Sequence, residues 1–136
     1  SKWSEYVVKL VCKRYNCIVV NVHQQEMAGE NNDNFKLGRL EPSEAKLGDN
    51  KIIGRDYMVT LGLFNPAKFG IQNYLKYNIG DFGKHFRSLS VIKHRNGEPD
   101  IVKAMWFEGI GNKFEELPLP TDKKELDNFL KNKHAA

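Results

Sequence analysis

Two cations, Lys93 and Arg95, stand two residues apart directly before an Asn96-Gly97 pair. Residues two apart on a strand share a face, so both side chains are expected on one side of the chain at the mouth of a turn. Arginine meets a phosphate through its planar guanidinium, and lysine meets it as a point charge. The pattern predicts a phosphate contact on a projecting hairpin tip, where the phosphate can belong to a neighbouring subunit. A cationic strand edge that prevents unwanted pairing is the alternative.

A second polar group follows an apolar run. Residues 17–22 are mostly β-branched and predict a buried strand, which leads into His23, Gln24 and Gln25. Open α/β sheets bind their ligands at the carboxyl ends of strands. A terminal glutamine at this position can donate to a γ-phosphate or orient water. Alternatively, these three residues are polar only because the chain leaves the strand there.

The elements that would position these residues begin with a helix that leads directly into an apolar strand, which is typical of α/β proteins. Trp3, Val7, Leu10 and Val11 fall on one helical face and predict a helix over residues 2–15, ended by Asn16. Further strands are predicted over residues 58–64, 86–94, 101–107 and 113–117. Asn96-Gly97 predicts a tight hairpin turn because both residues tolerate positive φ. Thr121 is the expected N-cap of a last helix, with residues 131–136 frayed, and residues 66–81 are expected to be irregular or briefly helical.

Length and composition indicate the broad class of protein. A chain of 136 residues with 40% hydrophobic and 28% charged residues is typical of one compact globular domain. No leader and no long apolar run is present, which favours a cytoplasmic protein without membrane contact. Cys12 and Cys17 have no companions at metal-ligand spacing and are expected to be buried or half-buried thiols, so no metal site is predicted.

The net charge of +4 is mild, but the stretch 82–95 is cationic and acid-free. It predicts either a phosphate-facing surface or a solvated face.

The long polar stretch from Gln24 to about Asp49 predicts a mobile functional loop. Neither G-x-x-x-x-G-K-[ST] nor G-x-G-x-x-G occurs in the chain, so it carries no phosphate cradle of its own.

Taken together and in this order, the Gln-bearing strand and the Lys93-His94-Arg95-Asn96-Gly97 hairpin resemble the DnaB-type hexameric replicative helicases. The similarity spans roughly residues 1–117 and is closest to divergent phage or Bacteroidetes-like versions. It implies a partial RecA-like P-loop NTPase fold, α/β with a mixed sheet and flanking helices, that lacks the Walker A strand-loop-helix. It also implies that residues 1–120 form the C-terminal half of the motor domain and residues 121–136 a C-terminal helix and frayed tail.

The resemblance also implies roles for individual residues. Arg95 would be an arginine finger acting in trans on ATP and Mg²⁺ held by the adjacent subunit of a hexameric ring, and Lys93 would hold the same γ-phosphate. Gln24 would be the sensor that links the nucleotide state to the DNA loop, with Gln25 as the substitute if the register differs. The residues expected to contact single-stranded DNA are Phe35, Lys36 and Arg39, for which a solvated loop is the alternative.

The parent assembly would be an ATP-driven helicase, whereas the isolated chain is expected to be inactive because its phosphate-binding half is missing. A helix at residue 1 without a preceding strand favours a fragment of a longer protein over a stand-alone relic. Two other functions remain open. One is a small basic single-stranded nucleic-acid-binding module without ATPase activity, with four aromatics available for base stacking: Phe69, Tyr74, Tyr77 and Phe86. The other is an interaction domain whose partner covers an open sheet edge.

Overall fold

The computed structural model describes residues 5–24, 33, 40–43 and 57–135. The predicted DNA-contacting residues Phe35, Lys36 and Arg39 lie outside the described residues, as do Gln25 and the first residues of the predicted N-terminal helix. The chain divides into two compact units. Unit 1 contains residues 1–62 and 91–101, and unit 2 contains residues 63–90 and 102–136.

Four strands form one sheet in the order β1-β4-β5-β6, and two short strands form a separate hairpin. The strands are β1 (Val59–Phe64), β2 (Asn73–Tyr74), β3 (Tyr77–Asn78), β4 (Phe86–His94), β5 (Ile101–Glu108) and β6 (Lys113–Glu116). The four-stranded sheet is antiparallel, where the sequence predicted a mixed sheet. The reason lies in the connections, because β4, β5 and β6 are joined by short turns and parallel neighbours require long crossovers.

The predicted strands 58–64, 86–94, 101–107 and 113–117 agree with β1, β4, β5 and β6 to within one residue at each end. The strand predicted over residues 17–22 is wrong. These residues belong to no strand of the described structure, and Ile18, Val20 and Val22 are 93%, 81% and 90% exposed. Alternating β-branched residues favour an extended backbone, but pairing also requires a neighbouring strand with free hydrogen-bonding groups.

The N-terminal helix, α1, consists of a π-helical part, Val7–Cys12, and an α-helical part, Lys13–Tyr15. Val7 is buried, as the predicted apolar face requires, but Leu10 is 53% exposed. A π-helix bonds i to i+5 and turns less per residue than an α-helix. The residue three positions after Val7 is therefore carried further from the buried face. Asn16 ends the helix, as predicted, in the left-handed conformation at φ 46° and ψ 49°.

An aromatic cluster forms the core of unit 2. Phe86 is fully buried, Phe82 packs edge-on against it with ring centroids 5.4 Å apart, and Tyr77 contacts both rings. The buried members that complete the cluster are Ile79, Ala104, Trp106 and Leu117. Residues 65–81, for which the helicase resemblance implied no role, therefore supply part of this core.

The last helix, α2 (Lys123–His134), packs on the same core through Leu126, Phe129 and Leu130. Its N-cap is Asp122, which accepts a hydrogen bond from the Glu125 amide at 3.1 Å, so the predicted Thr121 cap is wrong by one residue. The helix continues to His134, through residues that the sequence predicted to fray.

One contact near the C-terminal end of α2 explains this continuation. Lys133 pairs with Glu115 of β6 at 2.5 Å, and its ammonium group lies 5.2 Å from the centroid of the Phe129 ring.

Candidate phosphate-contacting site

The predicted cations Lys93 and Arg95 lie at the end of β4, inside unit 1. Lys93 is a half-buried strand residue, whereas Arg95 is exposed and follows the last strand residue directly. The Arg95 backbone is held in place, because its N–H donates to the Met58 carbonyl at 2.9 Å. The structure therefore combines a fixed main chain with an exposed guanidinium-bearing side chain, the arrangement that a contact to an external phosphate needs.

The turn after Arg95 differs from the predicted two-residue hairpin. Residues 95–100 connect β4 to β5, and neither Asn96 nor Gly97 has a positive φ. The positive φ of 63° occurs at Asp100, whose N–H donates to the Val91 carbonyl at 2.8 Å. A Cβ at Gly97 would overlap the imidazole ring of His94, so a larger residue there would require this exposed side chain to move.

The acid-free stretch 82–95 is divided between the two units and is not one uniform cationic surface. In unit 2, the Arg87 guanidinium lies 5.0 Å from the centroid of the Phe107 ring and donates to the carbonyls of Lys84 and Phe86. Burial lowers the pKa of Arg87. His85 stacks on Trp106 with ring centroids 4.3 Å apart. Arg87 and His85 therefore stabilise unit 2, and the cations of this stretch that lie in unit 1 are Lys93 and Arg95.

The predicted sensor Gln24 is exposed, at the end of residues 17–24 of unit 1, which form no helix or strand. This segment is anchored by Tyr57, a residue for which the sequence predicted no role. The Asn21 side-chain amide donates to the Tyr57 hydroxyl at 2.8 Å, and the Nε2 atom of His23 lies 3.5 Å from the same hydroxyl. Asn21 and His23 therefore both lie on the side of this segment that faces Tyr57. The alternation of the polar residues Asn21 and His23 with apolar neighbours is visible in the sequence. It does not identify their partner Tyr57, which lies far away in the chain.

A groove of about 580 Å³ lies beside these residues in unit 1. One wall comes from Val7 and Cys12 of α1 and from the segment after the helix, and the other from residues 57–61. Met58, which accepts the Arg95 amide bond, belongs to this second wall. The two predicted functional segments are thus connected through the two residues before β1: Tyr57 holds the segment that ends in Gln24, and Met58 holds the backbone of Arg95.

In the part of the chain that the structure describes, no group of three His, Cys, Asp or Glu side chains is placed to hold a metal ion. Over the same residues, no helix combines the length and apolarity needed to cross a bilayer.

Comparisons with known proteins return no relative. No protein-family model, no curated protein and no solved structure matches the chain.

Proposed function

We propose that this chain is the C-terminal part of a RecA-like motor domain from a DnaB-type replicative helicase, and that Arg95 acts in trans on ATP bound by the adjacent subunit. One observation carries the proposal. Arg95 is exposed directly after β4, its backbone is fixed to Met58 at 2.9 Å, and Lys93 lies two residues before it.

The chemistry assigned to this pair is electrostatic. Phosphoryl transfer spreads negative charge over the γ-phosphate oxygens in the transition state, and a guanidinium placed there stabilises that charge. Lys93 adds a second positive charge to the same phosphate. ATP and Mg²⁺ would be bound by the neighbouring subunit, so this chain contributes charge to the reaction and no phosphate cradle.

Gln24 is the proposed link to DNA. It is exposed at the end of the segment that Tyr57 holds through Asn21, and the polar stretch containing Phe35, Lys36 and Arg39 follows it in the chain. A change at Gln24 on nucleotide hydrolysis would be passed along the backbone to that stretch, where the two cations would contact single-stranded DNA.

The alternative of a nucleic-acid-binding module that stacks bases has less support. Of the four aromatic rings assigned to stacking, Tyr77 and Phe86 are buried in the core of unit 2. Tyr74 is half-buried against Phe64 and Phe86, and Phe69 is stacked on Phe64. Base stacking requires an accessible ring face.

The test uses the parent hexamer. Arg95→Ala should reduce ATP hydrolysis by about a thousandfold or more while leaving nucleotide binding nearly unchanged, because a trans arginine acts on the transition state. Arg14→Ala, which removes an exposed arginine of α1, is the matched control and should hydrolyse ATP normally.

Mixed rings distinguish a trans role from a cis role. Rings assembled from Arg95→Ala subunits and subunits with a disabled phosphate-binding lysine should regain part of the activity, because some junctions unite an intact nucleotide site with an intact Arg95. Failure of every mixture to exceed either variant alone, or loss of nucleotide binding in Arg95→Ala, would overturn the proposal.

A further inference from the structure

Cys12 and Cys17 are brought together by the C-terminal cap of α1. Asn16 adopts the left-handed conformation, and the Cys17 N–H donates across it to the Cys12 carbonyl at 3.3 Å. This is the six-to-one bond of a Schellman motif, in which the side chains of the two bonded residues approach each other. Standard backbone dimensions then hold the two α-carbons within about 7 Å, at the outer limit of the range for disulfides.

Three further observations concern the thiols themselves. The Cys17 thiol points back toward the helix, where its Sγ lies 3.8 Å from the Val11 carbonyl oxygen. Cys17 is exposed and Cys12 is half-buried, so the expectation of two buried or half-buried thiols is wrong for Cys17. Both residues border the groove of unit 1, through which a small reagent can reach them.

We infer that Cys12 and Cys17 form a dithiol modification site that low-molecular-weight disulfides, such as glutathione disulfide, convert reversibly to an intramolecular disulfide. The exposed Cys17 thiolate attacks one sulfur of the reagent, the reagent's S–S bond breaks, and one glutathione thiolate leaves and takes up a proton. Cys12 then loses its proton and attacks the Cys17 sulfur of the mixed disulfide, releasing the second glutathione. Two protein thiols are oxidised while one glutathione disulfide is reduced to two thiols, so atoms and electrons balance.

The bond would connect the end of α1 covalently to the segment that carries Asn21 and His23 to Tyr57. In the reduced protein this junction depends on the cap at Asn16 and on the contacts to Tyr57. Oxidation would therefore restrict the motion of the groove wall that α1 and the segment after it form. This inference does not depend on the helicase proposal, because it rests only on the cap and the two thiols.

The test is oxidation of the full chain by glutathione disulfide, followed by intact mass and peptide mapping. The wild type should lose two hydrogens with the Cys12 and Cys17 peptides linked. Cys12→Ser should stop at the glutathione adduct of Cys17. Two stable adducts on the wild type, or a disulfide between two chains in place of the internal one, would overturn the inference.

Nearness in sequence alone also favours pairing, so the cap needs its own test. Closure from the mixed disulfide should be about tenfold faster in the native chain than in urea, because the fold holds the sulfurs together. Asn16→Gly, which tolerates positive φ, should keep this advantage, whereas Asn16→Val should reduce it. Equal closure rates in buffer and in urea would show that the cap contributes nothing, and this comparison needs no variant to fold.

Discussion

The phenolic hydroxyl of Tyr77 donates a hydrogen bond to the Pro118 carbonyl across 2.8 Å. The bond joins β3 to the segment that leads into α2, and Tyr77 itself is only 5% exposed. Burial raises the pKa of Tyr77, and the negative charge of Glu116 raises it further. The folded protein therefore favours the neutral phenol, which can donate to Pro118.

Tyr77→Phe is expected to lower the free energy of unfolding by about 1 kcal/mol at neutral pH, because the Pro118 carbonyl loses its donor. Since the pKa of Tyr77 is higher in the folded protein, the unfolded chain releases the proton first as pH rises. The stabilisation is therefore complete below about pH 10 and declines above it. Urea unfolding of both proteins from neutral to alkaline pH should show the difference between them shrinking above that point.

Tyr15→Phe is the control for this measurement, since Tyr15 is exposed on α1. Its difference from the wild type should stay flat across the same pH range. A Tyr77→Phe difference that also stayed constant into the alkaline range would contradict a raised pKa for Tyr77.

The β2–β3 turn contains a backbone strain that substitution can remove. Its central residues, Leu75 and Lys76, have φ values of 50° and 67°, the combination that a type I′ turn needs and that Asn-Gly best provides. Lys76→Gly is expected to stabilise the protein by about 0.5–1 kcal/mol, and Leu75→Asn by a smaller amount, measured by urea unfolding.

Two controls separate turn strain from other effects. Leu75→Ala removes side-chain atoms but keeps the strained φ, so it should not stabilise. Lys124→Gly places glycine in α2 at an exposed position and should destabilise by about 1 kcal/mol. Destabilisation by Lys76→Gly of similar size would show that the positive φ carries no penalty here.

Strands that pair with sequence neighbours could be predicted, and contacts between distant residues could not. β4, β5 and β6 were located because their apolar patterns are bounded by turn residues, and each pairs with the strand beside it in the chain. Residues 17–22 have an equally good strand pattern, but whether they form a strand depends on whether another strand lies beside them to pair with. Lys93 and Arg95 were found from local spacing, whereas Tyr57 was missed because its partner Asn21 is far away in sequence.

The start of α2 gives a prediction in which adjacent residues should behave differently. Asp122 accepts the Glu125 amide bond at 3.1 Å, so Asp122→Ala should cost about 1 kcal/mol. Thr121→Ala should cost only a few tenths of that, because Thr121 precedes the cap. Thermal unfolding of the two variants is the measurement, and a larger loss for Thr121→Ala would place the cap one residue earlier.

Tyr57 provides the last prediction, which concerns unit 1. Its hydroxyl accepts the Asn21 side-chain bond at 2.8 Å and anchors residues 17–24, which belong to no strand in the described structure. Tyr57→Phe should remove about 0.5–1.5 kcal/mol of local stability, because the Asn21 amide loses its acceptor. The Asn21 side-chain N–H signals in a ¹⁵N-resolved NMR spectrum should shift and exchange faster with solvent.

Phe86 and Trp106 belong to unit 2, so their signals should not change, since local opening of one compact unit need not involve the other. Broadening of the Phe86 and Trp106 signals together with those of Asn21 would instead mean that the two units open as one.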